Sequence, residues 1–127
     1  MNPLFLTLDE VLSLHEMQLG LFGGSHGIRD IGLLDSAIAN VEATFGGEFL
    51  HQTVFEMAAA YLYGICRNHP FLDGNKRTAA AAAMTFLDLN RIEVEASEDA
   101  LYDLVIGVAE GRVSKAAVAV FFEQHAG

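Results

Sequence analysis

The sequence predicts an all-α protein, a compact bundle of about six helices, and three observations carry that expectation. Only two prolines occur, Pro3 and Pro70, so long helices run uninterrupted. Most segments repeat apolar residues at helical spacing, whereas the one clear alternating stretch, Ile92 to Ala96, is too short to claim a sheet. Serine and threonine at helix starts and glycine at helix ends punctuate the periodic segments.

Taken in order, Thr7 with Glu10 forms a capping-box pattern that opens the first helix. Leu8, Val11, Leu12, His15 and Leu19 fall on one face, with His15 as a hydrogen-bonded boundary histidine. Gly20 and the run Gly23-Gly24-Ser25-His26-Gly27 are expected to end it in a turn; no strand precedes them, so the dinucleotide and P-loop patterns fail. A second helix is expected over 30–44, buried through Leu34, Ala37, Ile38 and Val41, then closed by Phe45-Gly46-Gly47. A loop with an exposed or lightly packed His51 leads to a helix over 53–68. That helix is apolar nearly all round, which places it at the centre, with Cys66 as a small core residue. It stops at or before His69, because Pro70 disfavours the α conformation in the residue ahead of it. The stretch 75–90 is helical again, with the run Ala79 to Ala83 admitting a close neighbour. Ser97 caps a helix with Leu101, Leu104, Val105, Val108 and Ala109 on one face, and Gly111 stops it. Ser114 caps the last, with Ala116, Ala117, Val120 and Phe121 facing inward.

A chain of 127 residues that is 52% hydrophobic is expected to form one domain over 1–127. No apolar run reaches the roughly 18 residues of a membrane span. The net charge of −10 repels phosphate backbones, so direct nucleic-acid binding is not expected. One cysteine excludes an internal disulfide, no basic residue precedes the first apolar ones as in a signal peptide, and a cytoplasmic location is the expectation. Against the acidic background Arg67, Lys76 and Arg77, three of seven cations, gather around His69, a pattern suited to a small anionic ligand.

The chemistry concentrates in His69-Pro70-Phe71-Leu72-Asp73-Gly74-Asn75-Lys76-Arg77-Thr78. A helix begins at Gly74-Asn75, and the first backbone N–H groups of a helix have no internal partners and sit at the positive end of its dipole. Lys76 and Arg77 in that first turn are unfavourably placed unless an external anion joins them. Asp73 is a hard oxygen ligand suited to Mg²⁺, and His69 can take a proton near neutral pH. Base, metal carboxylate, anion nest and two cations are the inventory of a phosphoryl or nucleotidyl transferase. The plainer alternative makes Asp73 a cap, His69 a helix stop, and the cations solvated.

These residues resemble the signature of the Fic/Doc (Fido) family, and specifically its Doc, or death-on-curing, toxin branch. Gly27-Ile28-Arg29-Asp30-Ile31-Gly32-Leu33-Leu34-Asp35-Ser36-Ala37-Ile38 and Phe86-Leu87-Asp88-Leu89-Asn90 are similar to further Doc-type segments. The resemblance implies a Fido fold and a toxin of a toxin–antitoxin pair: a kinase that moves the γ-phosphate of ATP to a threonine or serine of a translation factor, elongation factor Tu, and so inhibits translation. It implies His69 as general base, Asp73 as the Mg²⁺ ligand, Gly74 and Asn75 as the phosphate nest, and Lys76 and Arg77 on the nucleotide phosphates. Fic-type AMP transferases have glycine at the position of Lys76 and a second arginine at that of Ala80, so both departures speak against AMP transfer. No (Ser/Thr)xxxGlu(Gly/Asn) inhibitory segment is found, so control is expected from a Phd-like antitoxin peptide. Arg91 stands where glycine is common, and Asn90 is expected to supply the left-handed cap. The alternatives are an AMP transferase and a catalytically idle domain that binds only antitoxin or nucleotide.

Overall fold

The computed structural model describes residues 2–127, which are 63% helical. The element order is α1 (Leu8–Phe22), α2 (Ile31–Val41), β1 (Thr44–Phe45), β2 (Glu48–Phe49), α3 (Val54–Asn68), α4 (Asn75–Leu89), α5 (Glu98–Ala109) and α6 (Lys115–His125). The all-helical fold read from the sequence is the one observed, with one short hairpin added.

Local chemistry sets the helix starts. Capping boxes open α1 (Thr7 with Glu10) and α3 (Thr53 with Glu56), each side chain taking the other's backbone N–H. Asp30, Ser97 and Ser114 cap α2, α5 and α6 through their side-chain oxygens. Apolar burial then places α3 at the centre, with α2, α4, α5 and α6 packed on it. Met57 to Leu62, Ile65 and Cys66 are all buried. The alanine run works as expected: Ala79, Ala82 and Ala83 are 0% exposed and bring α4 close against α3. At Gly64 the approach of α2 is equally tight, since a Cβ there would lie 3.2 Å from the Cβ of Ala37. Phe86 stacks on Phe5 and meets at a tilt the ring of Tyr61, whose hydroxyl accepts the Leu6 N–H at 2.9 Å. Burial pushes the Tyr61 phenol up to about 12.

Several expectations are corrected. α1 runs through Gly20 to Phe22, because one glycine costs a helix only about 1 kcal/mol. The stop is Gly23 (φ +79), whose N–H reaches Leu19 O at 2.7 Å. α2 ends at Val41, short of Thr44. Thr44–Phe45 then pairs antiparallel with Glu48–Phe49 across Gly46-Gly47, both at positive φ as a tight hairpin turn requires. His51 is 8% exposed, with Lys115 of α6 donating to its Nε2 at 3.2 Å. On α6 the buried residues are Val118 and Phe122, while Ala116, Ala117 and Val120 face outward. Small apolar residues surround that helix, so composition does not mark the inner face. After α4 the left-handed residue is Arg91 (φ +65), not Asn90. Asn90 instead binds Phe86 O and both backbone groups of Leu4, which ties the N-terminal segment to α4.

Candidate active site

α3 ends where the site begins. His69 is the C-cap of α3 and holds a left-handed backbone (φ 52, ψ 51), outside the right-handed helical region that the following proline disfavours. That conformation costs a non-glycine residue of order 1 kcal/mol. Arg29 holds it in place: its Nε donates to His69 O at 2.6 Å and its Nη2 to Asn68 O at 2.8 Å. The loop that follows is pinned to residues 27–30 almost as a strand. Arg29 N–H and Asp30 N–H bond Pro70 O, Leu72 N–H bonds Gly27 O, and Ile28 and Phe71 form a bridge. Phe71 is fully buried. The Asn75 side chain, 4% exposed, grips both backbone groups of Phe71 at 2.9 and 3.0 Å. Its amide is therefore committed to the loop, and what Asn75 can offer a ligand is its backbone N–H.

Asp73 is exposed and fixed. Its Oδ1 accepts the Gly74 N–H at 2.8 Å and its Oδ2 the Ser25 N–H at 3.2 Å. The second bond depends on Gly24, where a Cβ would sit 2.8 Å from Oδ2. The N–H donors of Ser25 and Gly74, with Arg77 and Lys76 nearby, hold the carboxyl below the usual carboxylate range, so it is charged at neutral pH. Each oxygen keeps lone-pair capacity beyond its single N–H. A charged, exposed carboxylate of this kind fits the single protein ligand that Mg²⁺ takes beside substrate phosphates. No cluster of three or more His, Cys, Asp or Glu side chains able to hold a metal exists among the described residues.

Gly74 (φ +79) is the N-cap of α4 and supplies no side-chain hydrogen bond, unlike the caps of the other five helices. Its own N–H is taken by Asp73, so its contribution is the left-handed turn. The N–H groups of Asn75, Lys76 and Arg77 find no acceptor among the described residues. Lys76 and Arg77 are exposed and form no ion pair there. Arg77 lies over the Phe22 ring, 4.3 Å from its centroid. Residues 73–77 end a cleft of about 550 Å³, walled by Phe22 of α1, Ala80 and Met84 of α4, and Tyr102 and Val105 of α5. The structure thus brings Asp73, Gly74, Asn75, Lys76 and Arg77 together on one opening. His69, on the same loop, does not line the cleft; its ring is exposed and makes no hydrogen bond among the described residues.

Two sequence expectations change here. Arg67 is not part of the cationic cluster, since its Nη1 caps the end of α5 on Val108 O and Ala109 O, both at 3.3 Å. His15 is hydrogen-bonded as expected but buried rather than at a boundary: it is 2% exposed, with Nε2 2.8 Å from Asp73 O. Arg29, Gly24 and the Ser25 N–H were not singled out from the sequence. The signal for Arg29 was its place in the Doc-like segment from Gly27 to Ile38.

Comparison with known proteins bears on the family. The sequence model of the Fic/DOC family matches residues 5–87. The chain is similar to "Protein kinase doc" of Escherichia phage P1, 37% identical over 111 residues that cover 87% of this chain and 86% of the relative. It is also similar to "Toxin Doc" of Mycolicibacterium smegmatis, 47% identical over 78 residues that cover 61% of this chain and 60% of that protein's length. A family match over residues 5–87, on a helical fold with Asp73 to Arg77 of the signature at one helix opening, shows that the chain belongs to the Fic/DOC family.

Proposed function

We propose that this protein is a Doc-like toxin that acts as an ATP-dependent protein kinase. The observation that carries the reading is the start of α4, which has no side-chain cap: three N–H groups without acceptors, flanked by two cations without carboxylate partners, among the described residues. Such a site favours phosphate oxygens through backbone donors and dipole together. The names of the two relatives, a toxin and a protein kinase, point the same way.

In this reading the N–H groups of Asn75, Lys76 and Arg77 hold the nucleotide phosphates, with the Lys76 ammonium and Arg77 guanidinium neutralising their charge. Asp73 would hold Mg²⁺, which when bound screens the phosphate oxygens. His69 accepts the proton of an acceptor threonine or serine hydroxyl as that oxygen bonds to the γ-phosphorus. The bond from the γ-phosphorus to the bridging oxygen breaks and ADP leaves. Catalysis is mostly positioning and charge stabilisation, because little covalent chemistry falls to the protein. The chemistry of residues 76 and 80 disfavours AMP transfer. Lys76 stands where AMP transferases of the family have glycine, and Ala80, on the cleft wall, offers no fork for phosphate oxygens.

The acceptor in this reading is elongation factor Tu, the regulator is a Phd-like antitoxin peptide, and the setting is the cytoplasm. No helix among the described residues is long and apolar enough to cross a membrane. Incubation of the purified protein with ATP and elongation factor Tu tests the acceptor. One phosphoryl group on a single threonine or serine, absent with His69→Ala, is expected. An unmodified factor, with phosphate found on another protein when cell extract is supplied instead, would replace the acceptor and keep the kinase.

A further inference from the structure

We propose that His15 is a positioning residue for the peptide that joins Asp73 to Gly74, and through it for the Asp73 carboxylate and the opening of α4. His15 lies on the buried face of α1 with Val11 and Leu19. A buried imidazole needs a hydrogen-bond partner, and this one finds it 58 residues away: Nε2 is 2.8 Å from Asp73 O. A carbonyl oxygen only accepts, so Nε2 carries the proton.

That carbonyl belongs to the same peptide plane as the Gly74 N–H, which the Asp73 carboxylate holds at 2.8 Å. One edge of the plane is fixed by α1 and the other by the carboxylate itself. Rotation of the peptide would break both bonds and turn Oδ2 away from the Ser25 N–H. The imidazole has no slack of its own, because it stacks on Phe71 with centroids 3.7 Å apart and planes 6° apart. It also lies directly against the cap: a Cβ on Gly74 would be 3.5 Å from His15 Cδ2. His15 therefore sets the direction in which α4 starts and in which Asp73 points, without itself facing the cleft. A purely space-filling role predicts something different, since leucine could then replace it.

The activity arm of the test rests on the kinase reading, and the spectroscopic arm does not. In heteronuclear NMR of the full chain, His15 is expected to carry its proton on Nε2; a proton on Nδ1 alone overturns the proposal without any variant being needed. With His15→Leu, which keeps bulk and loses the donor, the Ser25 and Gly74 amide resonances are expected to move in nucleotide-free protein. With His15→Gln, which restores an N–H donor, they are expected to return toward wild type. In phosphotransfer, His15→Leu is expected to lower kcat by about 100-fold, the scale of a small misplacement, with partial rescue by glutamine. Unmoved amides, or leucine and glutamine acting alike, overturn the assignment even where transfer proceeds. A wild-type protein that transfers no phosphate while the amides respond as described leaves this inference standing and removes the kinase reading.

Discussion

His69 occupies a backbone conformation that its own side chain does not favour. The Arg29 guanidinium on its carbonyl holds it there. Replacing Arg29 with alanine frees two carbonyls at the end of α3, and an equilibrium denaturation is expected to show a loss of about 1 kcal/mol, the scale of an exposed hydrogen-bonding group. Lysine is expected to restore little, because a point charge cannot bridge the carbonyls of Asn68 and His69 as a planar fork does. Cys66 offers a second check at this scale. Burial pushes its thiol up, despite Lys76 and Arg67 nearby, so a thiol reagent is expected to react slowly with native protein and rapidly once it is denatured. Reaction at equal rates would contradict the buried α3. The polar run from His69 to Arg77 was legible because so many chemical groups stand together in an apolar setting. Arg29 and Gly24 were not, because their partners lie about 40 or more residues away and no local pattern announces them.

At the scale of elements, α4 differs from its neighbours in being opened by a glycine whose conformation, rather than a side chain, defines its start. Gly74→Ala tests this. The added methyl group meets Leu19 and His15 only at ordinary contact, 3.4 and 3.5 Å, so the cost comes from the positive φ. A destabilisation of about 1–2 kcal/mol is expected in thermal or denaturant unfolding, with weakened binding of an ATP analogue. The central helix gives a complementary case: Thr53→Ala removes half a capping box and is expected to cost about 1 kcal/mol with nucleotide binding unchanged. Helix starts were readable because a cap is local chemistry, as Thr7 with Glu10, Ser97 and Ser114 show. The hairpin at Thr44–Phe49 was not, since strands of two residues leave no alternation to detect. The inner face of α6 also escaped, because alanine and valine surround it and only packing on α3 selects Val118 and Phe122.

The whole molecule is acidic, with a net charge of −10, yet it gathers Lys76 and Arg77 at one cleft and buries His51 at another place in the fold. His51 lies under α6, and desolvation, with Lys115 beside it, lowers its pKa from 6.5; Glu56 opposes the shift. The unfolded chain therefore binds a proton at this residue more readily than the native one. Its contribution is fully present above pH 6.5 and is lost as pH falls below that value toward the lower native pKa. Unfolding midpoints measured across that range are expected to drop on acidification, and His51→Gln is expected to flatten the dependence. A variant that keeps the wild-type slope would contradict the assignment. The fold class was accessible from periodicity and caps, whereas the burial of His51 depends on a contact between residues 51 and 115 that only the assembled bundle creates.

The central claim is that the start of α4 holds the phosphates of ATP so that the terminal one is transferred to a protein hydroxyl. The most direct measurement adds purified protein to a cell extract with ATP labelled at either the α- or the γ-phosphate, beside a His69→Ala control. Label from the γ-position on a protein acceptor, none from the α-position, and neither with the alanine variant is the expected result. Transfer of the α-label, or γ-transfer that survives loss of the imidazole, would contradict it.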